Sequence, residues 1–154
     1  MIQRIQSLYL ALSVVACGLL FFFPMAVFVH PSGIYNFFIY GIKYMLEPPM
    51  ILNFWLVFPA LAMIIIATIL TASSIFLYKN RKLQVLFVSI AFLLHVILIS
   101  VILLFYISHF EDIYGIHSYK FGIFLPLISL GLLILANRAI RKDEALVKSA
   151  DRLR

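Results

Sequence analysis

Within the 154-residue sequence, the side chain with the most chemical potential is His95, near the middle of a run, 83–110, that contains no Asp, Glu, Lys or Arg. An ionisable group inside an apolar segment is a functional candidate by default, and an imidazole there can carry a proton or hold a ligand. It can equally be a neutral structural group, satisfied by one hydroxyl or carbonyl of a neighbouring helix. The structural reading carries more weight. No apolar run of the chain contains an Asp, Glu, Lys or Arg that could relay a proton to His95. The segment also tolerates it, because its Leu, Ile, Val and Phe residues each favour insertion by about 0.3–0.6 kcal/mol, together outweighing even a charge-sized penalty of about 3 kcal/mol.

A second group, His109, Glu111, Asp112 and His117, falls in a short polar stretch. Imidazole and carboxylate together suit zinc or a similar divalent ion, particularly if His30 joins from elsewhere in the chain. The spacing matches no specific metal site, however, and a loop is where polar residues belong. No metal and no cofactor is expected. A nucleophile with a base at defined spacing, a phosphate-binding glycine loop and an HExxH helix are all absent, so no catalytic residues are assigned and no enzyme is expected.

The third group is the tail, residues 138–154, which holds six of the twelve Lys and Arg and three of the six Asp and Glu. From Leu132 onward there is neither Gly nor Pro to stop a helix. On a helical wheel Ala139, Ile140, Leu146, Val147, Ala150 and Leu153 share an arc of about 140°, with most charges opposite. Asp143 falls inside that arc. An acid turned toward anionic lipid is unfavourable, so this position calls for a basic partner, either Arg81 or Lys82 of the same chain or a group on another protein.

The elements that must position these groups follow from charge and hydropathy. Hydrophobic residues make up 65% of the sequence and charged residues 12%, and the mean hydropathy is +1.12, far outside soluble usage. The net charge of +6 is read as a membrane-topology signal, not as nucleic-acid binding, for which no recognisable fold is present. The single cysteine, Cys17, excludes an internal disulfide. The charge-free intervals 5–42, 48–78, 83–110 and 121–137 compare with the roughly 20 apolar residues that cross a bilayer. They predict an all-α membrane protein with four transmembrane helices, at about 5–29, 50–77, 83–107 and 121–137. Arg4, Lys79, Arg81, Lys82 and the six tail bases lie at one end, and Lys43 and Lys120 at the other. This asymmetry places both termini in the cytoplasm.

Residues 1–137 thus form the transmembrane domain and 138–154 a basic amphipathic cytoplasmic tail helix. Val14-Val-Ala-Cys17 resembles a lipoprotein cleavage box, but the apolar continuation after Cys17 favours an uncleaved first helix, kinked at Pro24. Between the first two helices, His30-Pro-Ser-Gly33 is a turn. The aromatic segment 34–44 reads as a short hairpin or interfacial loop, with Tyr35, Tyr40 and Tyr44 at headgroup level. Thr68, Thr71, Ser73 and Ser74 can bond across helices or back to their own helix.

The opening Met-Ile-Gln-Arg-Ile-Gln, the apolar spans and the ending from Ile140 to Arg154 together resemble a family of small uncharacterised inner-membrane proteins of Bacteroidetes, a domain of unknown function. The resemblance implies a multi-pass protein of the bacterial inner membrane and supplies no catalytic residues. It singles out Gln3, Arg4 and Gln6, together with the tail, as the family-like surface. The expected function is a non-enzymatic subunit or adaptor of the lipid bilayer. Its partner, another membrane or cytoplasmic protein or a second copy of the chain, would meet Gln3, Arg4, Gln6, Arg81, Lys82, Arg141, Lys142, Asp143, Leu146, Val147, Arg152 and Arg154. The alternative is a small oligomeric transporter or membrane enzyme using His95 or the His109, Glu111, Asp112 and His117 group.

Overall fold

The computed structural model describes residues 2–45 and 50–152, with side chains described throughout these segments except at 2–4, 50–52, 79 and 147–152. The run expected to form one helix over 5–29 divides in two. Helix α1 spans Ile2–Leu19 and is followed, after a turn, by strand β1, Ala26–His30. Pro24 therefore does not kink a helix; it lies beyond the helix end. Proline has no N–H for a fourth-neighbour bond and pushes the residue before it away from helical angles. The Phe22 and Phe23 amides instead close a turn on the Leu19 carbonyl, at 3.0 and 3.1 Å.

The chain is not all-α. Strands β1, β2 (Gly33–Phe38), β3 (Gly41–Tyr44), β4 (Met50–Leu52) and β5 (Ile116–Tyr119) form one antiparallel sheet in the order β4-β3-β2-β1-β5. The β-branched and aromatic residues of 26–44 favour this pleated state. Pairing of Phe28 with His117 brings in a strand from far along the chain. The inner face carries Phe28, Tyr35 and Phe37, all buried. Tyr35 packs inside the protein, stacking on Tyr44 at 4.7 Å and lying 4.6 Å from Tyr114.

Helix α2 spans Phe54–Phe76, beginning after β4, which takes the residues expected to start it. Helix α3, Arg81–Val101, runs through a wide π turn, Ile102–Tyr106, into α4, Ile107–Tyr114. His109, Glu111 and Asp112 therefore lie on a helix and not in a loop. The buried residues Leu98, Ile102, Tyr106 and Phe110 recur every four positions. An α-helix turns about 100° per residue, so such a stripe drifts about 40° per step, and one wide turn recovers part of that drift. The π bond runs from the Ile107 amide to the Ile102 carbonyl. Tyr106 and Phe110 then face the sheet, where Phe37 lies 6.1 and 5.1 Å from their rings.

Helix α5 runs unbroken from Phe124 to Arg152, so the tail continues the helix whose membrane-crossing part was expected over 121–137. It packs on α1 and α3, while α2 packs on α1 and α3. Three helices, Phe54–Phe76, Arg81–Tyr114 and Phe121–Leu146, are long and apolar enough to cross a membrane, and Ile5–Leu19 is a shorter apolar helix. Their outer faces expose large apolar groups, with Trp55 82% exposed. Helices apolar all round suit lipid rather than water. Small residues face inward instead, among them Ala60, Ala67, Thr71 and Ser74 of α2, which allows close helix approach. Thr71 and Ser74 bond back to carbonyls of their own helix, at 2.8 and 2.6 Å.

The sheet is joined to α5 through Gly122. Its amide donates to the Pro24 carbonyl at 3.0 Å, and an added Cβ would stand 2.5 Å from that oxygen and 2.6 Å from that of Phe23. Backbone on both sides cannot yield locally. Gly122→Ala is expected to lower unfolding stability in mixed micelles by about 1–3 kcal/mol, the usual cost of overpacking. Gly18→Ala, where an added Cβ meets nothing within 4 Å, should not destabilise. Equal losses in the two variants would contradict this account of the joint.

Candidate functional site

Ser13 and Cys17 in the second half of α1, His95 of α3 and Ser129 near the start of α5 converge on one point. Ser13, His95 and Ser129 are 0% exposed and Cys17 1%. On α3 the stripe Gln84, Val88, Ala91, His95, Leu98 is buried at alternating spacings of four and three, which turns His95 inward between its neighbours. Ser13 and Cys17, four apart on α1, share the face that meets α5.

Hydrogen-bond directions follow from the acceptors. His95 Nδ1 lies 2.8 Å from the Ala91 carbonyl; a carbonyl can only accept, so Nδ1 carries the hydrogen and donates. Nε2 of the neutral ring is then an acceptor. Ser129 Oγ lies 2.9 Å from it and supplies the proton. Ser13 Oγ, 2.7 Å from Ser129 Oγ, donates to that oxygen. Cys17 Sγ lies 3.3 Å from both Ser129 Oγ and His95 Nε2. The chain of donors runs from Ser13 through Ser129 to His95 and ends on a backbone carbonyl, leaving no side chain of the group without a partner.

A hydroxyl on an imidazole whose other nitrogen is anchored has the geometry of a nucleophile with its base. These side chains are buried, and the same bonds equally serve to join three helices. On the far side of Cys17, Thr68 and Ile65 of α2 line with it a groove of about 140 Å³ between α1 and α2. Thr68 Oγ1 itself donates to the Ile64 carbonyl at 2.7 Å. Nothing in the order of residues assigns Ser13, Cys17 and Ser129 to His95 as partners. The signal that could have found them is small polar side chains at the middles of apolar runs, where any hydroxyl needs a partner.

The basic end is built around one ion pair. Arg81 Nη2 lies 2.8 Å from Asp143 Oδ2, and Arg81 Nη1 donates to the Asp143 carbonyl at 3.0 Å. Asn80 positions that arginine by capping α3, its Oδ1 accepting from the Leu83 amide at 3.3 Å. Gln6 is buried and its Nε2 donates to the Ala139 carbonyl at 3.3 Å, tying α1 to α5. Arg141 Nε donates to Asn137 Oδ1 at 3.1 Å. Lys82, Arg138, Arg141 and Lys142 are exposed, and Leu146 is 48% exposed. The side chains of Gln3, Arg4, Val147 and Arg152, and Arg154 altogether, lie outside the described residues.

At the sheet end the imidazoles and carboxylates do not gather into one group. His109 stacks on Phe105 at 5.8 Å, Asp112 is exposed, and His30 Nδ1 lies 2.6 Å from Ser32 Oγ. His117 Nδ1 lies 3.1 Å from Glu111 Oε2, although the contact is misaligned for a hydrogen bond. Among the described residues no group of three or more His, Cys, Asp or Glu could hold a metal ion.

Compared with known proteins, residues 2–153 match the family model described as Domain of unknown function (DUF4293). No curated protein matches the chain.

Proposed function

The chain belongs to the DUF4293 family, a premise that brings no activity with it, and from there we propose a non-enzymatic subunit or adaptor of the bacterial inner membrane. In this reading four helices span the bilayer with both termini in the cytoplasm. The shortest, α1, is apolar over Ile5–Leu19, about 22 Å at 1.5 Å per residue, so it spans a hydrocarbon core of about 30 Å only with local thinning. The observation that carries the reading is the Arg81–Asp143 clamp. It fixes a helical extension of α5 against the turn between α2 and α3, so that the exposed Lys82, Arg138, Arg141 and Lys142 belong to one braced surface. A braced basic surface favours docking of an acidic partner surface, since little conformational freedom remains to be lost on binding.

Two measurements test this. With Cys17 replaced by Ser, a cysteine at Ser118 is expected to react with impermeant thiol reagent in intact spheroplasts, and one at Ser149 only after lysis. Labelling at 149 from outside would overturn the topology. The wild-type protein should also purify in mild detergent with a stoichiometric partner that Lys82→Glu with Lys142→Glu loses at least tenfold. Retention of that partner by the double variant would overturn the docking surface.

A second reading, a small oligomeric transporter or membrane enzyme, is favoured by one observation, the 2.9 Å approach of Ser129 Oγ to His95 Nε2.

A further inference from the structure

We propose that the groove between α3 and α5 at the basic end is a binding site for an anionic phospholipid, with the lipid phosphate between Arg138 and Arg141 and the start of an acyl chain on Phe92, Leu133 and Ile134. The groove, of about 250 Å³, is lined by these residues and Asn137. Its chemistry changes in one direction. Leu133 and Ile134 form an apolar foot with Phe92 from α3, Asn137 follows one turn later, and the two guanidiniums form the rim. From Leu133 to Arg141 is eight residues of continuous helix, about 12 Å. That length accommodates a phosphate, a glycerol backbone and the first methylenes of a chain, in the same order of polarity.

The position along the chain selects a lipid over a soluble phosphate compound. Arg138 is the first charge after the uncharged run 121–137, so on a spanning α5 it marks the level where hydrocarbon gives way to headgroups. A soluble ligand would leave the apolar foot empty, whereas a phospholipid already has its chains at that depth. Arg138 and Arg141, three positions apart, share one face of the helix. Arg141 is held at the rim by its bond to Asn137 Oδ1. Guanidinium forks match phosphate oxygens in paired hydrogen bonds, which a lysine cannot reproduce. The site does not rest on the adaptor reading, because Lys82 and Lys142, on which that reading is tested, do not line the groove.

The test uses the full chain purified in mild detergent, titrated with phosphatidylglycerol or phosphatidylcholine and read by native mass spectrometry and by thermal stability. The wild type is expected to retain phosphatidylglycerol at least tenfold more tightly than phosphatidylcholine. Arg138→Gln with Arg141→Gln should lose that preference, while Lys82→Gln with Lys142→Gln, which removes the same charge, should keep it. Arg138→Lys with Arg141→Lys should retain only part of it. Equal loss in the two Gln pairs would reduce the effect to general surface charge and overturn the site. Stabilisation by inorganic phosphate equal to that by phosphatidylglycerol would overturn the lipid as occupant.

Discussion

His95→Ala is expected to lower unfolding stability in mixed micelles by about 3 kcal/mol, through a core cavity and the loss of the acceptor for Ser129 acting together. The ring is fully buried, and its Nε2 is the acceptor on which the Ser129 and Ser13 hydroxyls end. Removing it leaves Ser129 to turn its proton toward Ser13 Oγ or the weaker acceptor Cys17 Sγ. His95→Gln should recover most of the loss. A glutamine amide reaches the place of Nε2 and can accept from Ser129, although it gives up the bond to the Ala91 carbonyl, which costs about 1 kcal/mol or less. The pair of variants separates the two readings of the site. Retained folding and complementation by His95→Gln fits a structural network. A stable but wholly inactive His95→Gln would move the chemistry to Ser129 and His95, since an amide cannot accept and return a proton at neutral pH.

Asp143→Lys is expected to detach the tail. The two side chains of the Arg81–Asp143 pair are only 22% and 14% exposed, between the surface case, worth under about 1 kcal/mol, and the buried one, where removing a partner costs about 3–5 kcal/mol. Loss of the pair alone, as in Asp143→Ala, should therefore cost about 2 kcal/mol. Lysine adds repulsion with Arg81. Limited proteolysis should then cut between residues 141 and 152 much faster than in the wild type. Arg81→Asp combined with Asp143→Arg should restore protection, because it returns an ion pair with exchanged signs. If the exchanged pair also restores function, Asp143 acts within the chain, and any partner reads the cations around it. Unchanged proteolysis of Asp143→Lys would show that the clamp does not hold the tail.

Much of the helical architecture was legible without coordinates because charge is costly in an apolar medium. The uncharged intervals 48–78, 83–110 and 121–137 each required a helix, the conformation that satisfies its own backbone. The cluster Lys79, Arg81 and Lys82 required the turn between two of them. The unbroken pattern after Leu132 permitted α5 to run on to Arg152. Asp143 announced its need for a base through its place on the wheel, and Arg81 was one of the two named.

Residue order and composition alone therefore establish which segments are apolar, where the charges gather and which polar residues need partners. The sheet was decided by tertiary structure. Residues 20–44 have no charge up to Lys43, so hydropathy could not separate a long helix from a short helix followed by strands. Strand conformation wins because its backbone bonds are completed by distant chain, β1 pairing with β5 and the Lys120 amide donating to the Met25 carbonyl at 2.9 Å. The partners of His95 were likewise settled only by packing. Each helix can present several faces to its neighbours, and only the relative rotations of α1, α3 and α5 bring Ser13, Cys17 and Ser129 to the same imidazole.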